Sequence, residues 1–541
     1  MSGKKMNRRD LLKKGGAVGA GAVAAGALAG SGGAAAYKVA RHSATPRRGG
    51  TVNWALEQDP AHIAPAGGIL TMTRTAQEPM YESLLEWDKN LNIKPALATG
   101  WKVRNKTTVD FDIRKGVKFH NGDELTAADC VYSFQQHLNP PLPGSVSVLG
   151  QIPAIADTEA RGRYVLRVNL KATDARLFGY LAWQRYAAIF PAGMYQELNA
   201  ATQGIGTGPY KMNGPYVPNS RISYVRNPQY WKKGLPYLDG ITYQIITDEQ
   251  ARIAALRAGA VQGATLSVDS ARSLRGVGGL TVQKGLTAAF RELQMTIKAG
   301  EDKPWHNVKV RQAVNLAINR NELIQKVYGG EGQFSGHVPP GYGPWPIPQS
   351  ELKSKWEKED LAKARQLLRQ AGFANGFEVT MTTFSTPLDF PALAALIQSQ
   401  LKRINVNVKV VAQDPATFAA NNGRGTFEWD LTARGMRGDV DGYMAEFNPT
   451  GALGATVFNT WFSAYRNPKM WKLVGNGRIT LDLNKRLKMY QELNRILMTE
   501  LLEIPLIAVN KYQVISSKLK NHYVSFNDFN TGLVRAAYLT A

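Results

Sequence analysis

Residues 109–129 read VDFDIRKGVKFHNGDELTAAD, and along this stretch the pattern changes from that of a strand to that of a helix. Apolar and polar residues alternate through Val109–Ile113, which is the period of a half-buried strand. A second short apolar run follows Gly116, so the sequence predicts a β-hairpin there. Thr126 and Asp129 have the spacing of a capping box, which predicts that a helix begins at this point.

A strand–helix–strand pattern further along the chain predicts a parallel sheet. Phe377–Thr383 is a strand candidate, Pro391–Arg403 has helical spacing with a proline near its first turn, and Val406–Val410 alternates again. Because these three elements follow one another closely, we predict a right-handed parallel crossover. Open α/β sheets bind ligands at the carboxyl ends of their strands, and paired lobes bind them in the crevice between the lobes.

Other segments continue the alternation of strands and helices. Residues 309–328 repeat apolar side chains at helical spacing and stop at Gly329-Gly330, which predicts one long helix. Asp360 has the position of an N-cap before another helix, which Gly372 ends. Further strands are predicted at residues 163–170, 222–224 and 241–245, and a further helix at 482–502. The predicted fold class is therefore α/β, in more than one lobe.

The composition excludes several classes of protein. Of the 541 residues 44% are hydrophobic, which is enough to bury large cores and excludes a mainly disordered chain. Cys130 is the single cysteine, so an internal disulfide and a cysteine-based metal site are excluded, and we expect a buried, inert thiol. No apolar run after the N-terminal region reaches the roughly 18 residues of a membrane span, which excludes a polytopic membrane protein.

The formal net charge is +24, from 66 Lys+Arg against 42 Asp+Glu. Acids and bases are interleaved, as in residues 351–365, and no nucleic-acid motif is present. We therefore interpret the positive charge as a solubility surface. The alternative is a secreted binder of polyanions, whose binding would fall steeply with salt.

The first 36 residues have the pattern of an export signal. Arg8-Arg9 precedes Leu11-Leu12, a weakly apolar Gly/Ala run follows through residues 15–33, and the small residues Ala34–Ala36 end it. The arginine pair resembles the twin-arginine signal, which is an address that a receptor reads. We expect cleavage, a flexible segment at 37–48 and a mature periplasmic protein that is not a lipoprotein. The alternative is an uncleaved, loosely apolar tail.

The sequence offers little for catalysis. It has no phosphate loop, no HExxH zinc motif and no GxSxG nucleophile elbow. The seven histidines have no metal-ligand spacing. We therefore expect no catalytic residue, no cofactor and no metal site. Turnover of a candidate ligand during incubation would favour the alternative, an enzyme.

A series of blocks, in order along the chain, resembles the extracellular solute-binding proteins of family 5, the peptide- and nickel-type receptors of ABC importers. The resemblance covers the chain from about Gly49 to the C-terminus. The blocks are Ala98–Trp101 with Val109–Asp129, Gly206–Tyr210, Val225–Trp231, Tyr237–Ile241, Ala254–Gly259, Val308–Ile318, and Ala364–Gly372 with Phe377.

The resemblance implies a bilobal periplasmic binding protein of type II, in the peptide-binding group, with a subdomain inserted in lobe I. Lobe I would comprise residues 49–87, 204–303 and 506–541, the subdomain 88–203, and lobe II 304–505. The ligand would bind between the lobes, which close by a hinge, and a soluble monomer would deliver it to the permease subunits.

The resemblance also implies a set of ligand-binding residues. Asp439 matches the acid that pairs with a peptide α-ammonium, although Val440 and Gly442-Tyr443 depart from the family pattern. Arg434 and Arg437 could bind a carboxylate or phosphate bidentately. Two further candidates are His62, in a loop like the cleft-facing N-terminal loop of the family, and Trp461, as a wall of the pocket.

Three ligand classes remain open at this point. The first is a short peptide or peptide-like solute. The second is an anionic solute such as an opine or a sugar conjugate, which the altered motif at Asp439–Gly442 and the nearby arginines favour. The third is a nickel ion bound through a small organic chelator.

Overall fold

The structure is a computed structural model that describes residues 46–60, 62–66, 71–89, 91–141, 155–197, 202–387, 389–450, 452–526 and 531–540. The predicted export signal, residues 1–36, lies outside the described residues, as do residues 37–45 of the segment that follows it. Within the described ranges, no helix is long and apolar enough to cross a membrane.

Strands and helices alternate along the described chain, as the sequence predicts. The strands are β1 Thr51–Leu56, β2 Leu85–Trp87, β3 Ile93–Pro95, β4 Ala98–Asn105, β5 Thr108–Ile113, β6 Ile155–Ala160, β7 Val165–Leu170, β8 Tyr210–Met212, β9 Arg221–Arg226, β10 Gly240–Ile245, β11 Gly263–Leu266, β12 Leu280–Met295, β13 Gly332–Phe334, β14 Phe377–Phe384, β15 Val406–Gln413, β16 Trp429–Arg434, β17 Glu503–Ser516, β18 Leu519–Lys520 and β19 Tyr538–Leu539.

The α-helices are α1 Thr71–Gln77, α2 Ala127–Leu138, α3 Leu177–Leu181, α4 Gln184–Ala187, α5 Met194–Glu197, α6 Glu249–Arg257, α7 Val268–Ser273, α8 Val308–Ala317, α9 Arg320–Tyr328, α10 Gln349–Leu352, α11 Leu361–Gln370, α12 Asp389–Lys402, α13 Pro415–Arg424, α14 Ala452–Trp461, α15 Pro468–Ile479, α16 Leu483–Glu500 and α17 Thr531–Ala536.

One large sheet organises the fold. Its eleven strands run in the order β15-β14-β16-β12-β17-β11-β1-β10-β9-β8, with β13 paired to β17 beside this path. The strands β4-β5-β7-β6 form a separate antiparallel sheet, all of it within the predicted subdomain 88–203. The boundaries of the subdomain and of the two lobes stay predictions.

The long strands β12 and β17 pair along most of their length and join the two halves of the large sheet. One stretch pairs Leu280–Leu286 with β17, and a second pairs Phe290–Gln294 with it. The register shifts between these stretches, so Thr287–Ala289 interrupts the ladder. Such an interruption locally bends a strand.

The hairpin predicted after Gly116 is wrong. Strand β5 pairs instead with β4 and β7. The residues after Gly116 fold back in a tight loop, in which the Phe119 N–H donates to the Asp123 carbonyl at 2.8 Å and Lys118 forms an isolated bridge with Glu124. The eight-residue strand β4 pairs with β5 from Ala98 to Asn105, with two register shifts, and so offers more ladder hydrogen bonds than the short run after Gly116.

The single helix predicted at 309–328 is two helices, α8 and α9. Ile318 and Asn319 have extended backbone between them. The Asn319 side chain accepts a hydrogen bond from the Glu322 N–H at 2.9 Å, and the Asn319 N–H donates to Gln400 at 3.0 Å. Asn319 therefore caps a new helix, and Gly329 closes it in the left-handed conformation, at a φ of 55°.

Two local predictions are confirmed. The Thr126 N–H donates to the Asp129 carboxylate at 2.8 Å, so the capping box opens α2. Strands β14 and β15 pair in parallel on either side of α12, as the strand–helix–strand pattern predicts. The Cys130 thiol is buried in the core, and burial raises its pKa.

The largest hydrophobic core runs from the small sheet to the large one. It includes Phe111 on β5, Tyr180 on α3, Phe290 on β12 and Leu497 on α16, and also Tyr443, which follows β16. This core surrounds the segment that follows β16, where the sequence predicts ligand-binding residues.

Candidate ligand-binding site

Residues 434–443 follow the carboxyl end of β16, which lies parallel to β14. Asp439 begins a short 3-10 helix, Val440–Tyr443, by accepting a hydrogen bond from the Asp441 N–H at 2.9 Å. The segment lies directly against α3, because a Cβ on Gly179 would approach the Gly438 carbonyl oxygen to 2.4 Å. The two glycines therefore allow a close backbone approach between this segment and the predicted subdomain.

Arg434 is buried and bound by protein carboxylates. Its Nε donates to Glu292 at 3.0 Å and its Nη2 to Glu503 at 2.6 Å, and its Nη1 contacts Glu446. Burial raises the pKa of Glu503 to about 8, against the opposing charges of Arg434 and Arg437. In this arrangement Arg434 ties β12, β16 and β17 together, and its ion pairs are with the protein itself.

Asp439 is 8% exposed and forms a bidentate ion pair with Arg486 on α16. Nη1 of Arg486 donates to Oδ2 at 2.9 Å, and Nη2 donates to Oδ1. The guanidinium lies over the rings of Trp345 and Tyr490, with its carbon 5.3 and 5.0 Å from their centroids, and its Nε donates to the Gly477 carbonyl at 2.9 Å. Burial alone would lower the pKa of Arg486, but Asp439, together with Tyr490 and Asp441, outweighs it and the pKa is raised.

Asp441 is fully buried and has three protein donors. Arg478 donates from Nε at 3.0 Å, Tyr490 from its hydroxyl at 2.8 Å, and Arg176 from Nη1 at 3.4 Å. Arg176 also donates to Asp174, from Nη2 at 2.6 Å. Each of these aspartates therefore has an arginine partner.

Arg437 differs from the other charged residues of the segment. Its backbone is fixed, because its carbonyl accepts from the Tyr342 hydroxyl at 2.9 Å. Its side chain lies against Gly442, where a Cβ would sit 2.8 Å from the Arg437 Cβ. The Nε is buried without a hydrogen-bond partner, and within the described part of the chain the guanidinium forms no ion pair.

Within the described ranges, no hydrogen bond or ring contact joins His62 or Trp461 to residues 434–443. The Nδ1 of His62 is buried without a partner in the described ranges, and burial, together with Arg74, lowers the pKa of this histidine. Trp461 is buried, donates to the Asn422 carbonyl at 3.0 Å and contacts the Phe427 ring. Both residues stay predictions as ligand contacts.

A cavity of about 210 Å³ lies beyond α3 and is bounded by four parts of the chain. Its walls come from residues 78, 81–83, 85–89, 91 and 96, from Ala182-Trp183 and Gly285-Leu286, and from residues 523–526, 531, 534 and 535, with Pro209, Tyr230 and Lys232. Aromatic contacts connect it to the segment: Trp183 packs on Tyr186, Tyr186 on Tyr180, and Tyr180 faces Gly438.

The acids of this cavity are paired as well. Glu82 accepts from the Tyr230 hydroxyl at 2.8 Å and from the Trp231 indole at 2.7 Å, and burial raises its pKa. Glu86 pairs with Lys232 at 2.8 Å and with Arg535 at 3.3 Å. The cavity is therefore polar but nearly balanced in charge.

The sequence does not predict the partners Arg176, Arg478 and Arg486, because they lie far from the segment along the chain. One signal for Arg486 exists. It precedes Tyr490 by four residues and so shares the buried face of α16, where a charged side chain needs a partner.

The chain has clear relatives. The family model described as bacterial extracellular solute-binding proteins, family 5 Middle, matches residues 92–468. The glutathione-binding protein GsiB of Pectobacterium atrosepticum is 28% identical over 468 residues, covering 84% of this chain and 88% of that protein. GsiB of Escherichia coli K12 is 26% identical over 474 residues, with the same coverage.

Solved structures share the fold. The periplasmic binding protein DppA from Helicobacter pylori, in complex with the peptide STSA, superposes with a TM-score of 0.74 at 24% identity, covering 92% of this chain and 99% of that one. AgaA with agropinic acid, from A. tumefaciens R10, gives 0.73 at 23% identity, covering 91% and 99%. CtaP from Listeria monocytogenes gives 0.78 at 20% identity, covering 92% and 100%.

Proposed function

The chain belongs to family 5 of the bacterial extracellular solute-binding proteins, the substrate-binding proteins of ABC importers, and we propose that it captures a short peptide or peptide-like solute for import. Its fold class, the bilobal α/β type of the periplasmic peptide-binding proteins, is confirmed by the solved structures. The solute binds between the lobes, hinge closure encloses it, and the closed form delivers it to the permease. No bond is broken, so the mechanism is reversible binding.

One observation carries this proposal, the position of residues 434–443. They follow the carboxyl end of a strand in a parallel part of the sheet, which is where α/β proteins bind ligands. They are enclosed by α3 from the predicted subdomain and by α15 and α16 from predicted lobe II. A ligand here would touch both moving parts, as closure around it requires.

Two features support hinge closure. The interrupted ladder at Thr287–Ala289 lies on the strands that join the two halves of the large sheet. The Ala175 N–H donates to the Arg478 carbonyl at 2.7 Å, beside the Arg176–Asp441 ion pair, so polar contacts join predicted subdomain and predicted lobe II. Contacts of this kind form when lobes close and break when they open.

Arg437 supports a ligand that carries a carboxylate. A half-buried guanidinium without an ion pair in the described ranges gains most from an anionic partner. Every peptide with an unmodified C-terminus supplies one. Glutathione and the peptide STSA, which the relatives bind by name, also carry carboxylates.

A second candidate is an anionic solute that is not a peptide, such as an opine or a sugar conjugate. The pairing of Asp439 with Arg486 favours it, because the carboxylate matched to a peptide ammonium already has a cation. A relative in fold, AgaA, has agropinic acid bound. Chelated nickel has no comparable support, since the described residues contain no cluster of three metal-ligating side chains.

We further propose that the chain reaches the periplasm by the twin-arginine route and acts as a monomer. The family is extracellular, which agrees with an export signal. The Arg8-Arg9 pair before a weakly apolar run supports this route.

Native mass spectrometry of the mature protein, purified from periplasm without refolding, tests the function. We expect co-purified small molecules, either a ladder of short peptides or one acidic mass. The Arg437→Ala variant should lose them, with affinity lower by roughly tenfold to a thousandfold, because a desolvated charge pair is broken. Arg369→Ala, on the exposed face of α11, is the matched control and should retain them.

Two outcomes would contradict this proposal. A protein that carries no small molecule, and that neither tripeptide mixtures nor a panel of small organic anions stabilise against heat, is not a receptor for either ligand class. Retention of the ligand by Arg437→Ala would instead move the anion site away from residue 437.

A further inference from the structure

We infer that residues 434–443 select the solute by an anionic group and do not require a free amino group, because Arg486 already neutralises Asp439 from within the protein. This inference rests on the proposed function, in which the solute binds at this segment. It makes Arg486 a specificity-determining residue that acts through Asp439. The second candidate, a non-peptide anion, satisfies the same chemistry.

The Asp439–Arg486 pair is built into the fold. Both carboxylate oxygens of Asp439 receive an N–H of the same guanidinium. The side chains are 9% and 5% exposed, so little water reaches them. Gly477, Trp345 and Tyr490 hold the remaining faces of the guanidinium.

A ligand ammonium cannot easily replace Arg486. If it displaced the guanidinium, it would leave a buried cation without its carboxylate, which is strongly unfavourable. If it joined the pair without displacing Arg486, two cations would share one desolvated carboxylate. Either arrangement costs more than leaving the amino group in water or removing it by acylation.

The other carboxylate of the segment is no more available. Asp441 is fully buried, and its oxygens receive Arg478, Tyr490 and Arg176. Both aspartates of the segment are therefore already paired with arginines, and neither is available to a ligand amine. Glu292, Glu446 and Glu503, behind the segment, are bound to Arg434.

One cation of residues 434–443 is available to a ligand anion. Arg437 carries the charge on the segment that has no ion pair in the described ranges, and its Nε is buried without a partner. Its backbone is held by the Tyr342 hydroxyl, and Gly442 packs against its stem. The guanidinium is therefore positioned, and a carboxylate or phosphate completes its hydrogen bonds.

Random tripeptide libraries that differ only at their ends test the inference. One library has both ends free, one is N-acetylated and one is C-amidated. We expect the free and N-acetylated libraries to bind wild-type protein with affinities within about threefold, and the amidated library to bind at least tenfold more weakly. A tenfold loss on N-acetylation overturns the inference and leaves the peptide receptor standing.

A cycle of Asp439→Asn, Arg486→Gln and the double variant tests the pair without any ligand. We expect each single variant to unfold at lower urea than wild type, and the double variant to lose much less than the sum. If a single variant does not fold and the double variant does, the two side chains are likewise shown to act as a pair. Additive losses would show that the pair is not held, and would overturn the inference.

The two measurements separate the possible failures. If the double variant loses less stability than the sum of the single variants but no library binds, the peptide ligand of the proposed function is ruled out. The inference that Asp439 is unavailable to an amine would still hold. A gain of at least tenfold preference for free amino ends in Arg486→Gln supports the inference directly, because Asp439 then becomes available. Retention of wild-type end preference in a folded Arg486→Gln protein overturns it.

Discussion

Arg176 and Asp441 form a buried ion pair, Nη1 to Oδ2 at 3.4 Å, between residues that lie 265 positions apart in the chain. Arg176 is fixed by Asp174 two residues before it, and Asp441 is fixed by Arg478 and Tyr490. The pair joins the predicted subdomain to the segment after β16. It is therefore a contact across the space that the proposed closure must shut.

Replacement of Arg176 by glutamine tests this contact. Asp441 keeps Arg478 and Tyr490, but the buried Asp174 loses its arginine, so we expect a loss of about 3–5 kcal/mol in the free energy of unfolding. The closed state should be less populated, which weakens apparent ligand affinity by roughly tenfold and enlarges the ligand-free protein in small-angle scattering. Arg163→Gln, which breaks the ion pair between the largely exposed Arg163 and Glu124, is the control and should change neither quantity.

Unchanged affinity and unchanged scattering in a folded Arg176→Gln protein would contradict this role. The pair would then only stabilise the junction, without responding to closure.

Glu503 predicts a pH dependence of stability. Burial raises its pKa from 4.5 to about 8, so between these values the folded state holds a proton that the unfolded state releases. The contribution of Glu503 to stability therefore falls as pH rises from about 4.5 to 8. The amide side chain of the Glu503→Gln variant cannot titrate, so the stability of wild type relative to this variant should decrease across the same window in urea unfolding.

Glu331 is a control, because its pKa is shifted in the opposite direction from that of Glu503. Hydrogen bonds from Lys284 and Arg275 lower its pKa to about 2, against a weaker effect of burial. Its contribution to stability is present above pH 4.5 and is lost as pH falls towards 2. Glu331→Gln should therefore differ from wild type by a constant amount between pH 5 and 8. A flat difference for Glu503→Gln as well would show that Glu503 is ionised throughout.

Local patterns in the sequence predicted much of the fold. The capping box at Thr126 and the parallel pair β14–β15 depend on neighbouring residues, and they form as expected. The break at Asn319 was missed because α8 and α9 bury apolar residues in the same core, so the helical spacing continues across it. The hairpin after Gly116 was wrongly predicted because the sequence does not reveal that β4 and β7 are the partners of β5.

The candidate site was predictable only in part. The charges of residues 434–441 are adjacent in the sequence, but their state depends on Arg176, Arg478 and Arg486, which tertiary folding brings to them. Sequence proximity therefore identified a charged segment without revealing which charge lacks a partner. Pairing of this kind is a property of the packed structure.

The missed helix boundary makes a prediction of its own. Asn319→Ala removes the cap of α9 and the hydrogen bond acceptor for Glu322, so we expect a loss of about 1 kcal/mol in the free energy of unfolding. Asn321→Ala, exposed in the first turn of the same helix, is the matched control. It should leave stability unchanged or raise it slightly, since alanine is the better helix former. Equal effects of the two variants would rule out Asn319 as the cap.

Charge-conserving substitutions test the export route. A receptor that reads guanidinium groups discriminates arginine from lysine, whereas a signal that needs only positive charge does not. We therefore expect the Arg8→Lys/Arg9→Lys variant to accumulate in the cytoplasm with its signal uncleaved, while Lys13→Arg/Lys14→Arg is exported like wild type. Cell fractionation and intact mass of the N-terminus measure both. Export of the lysine variant, or export from cells that lack the twin-arginine translocase, would place the chain on the general secretory route instead.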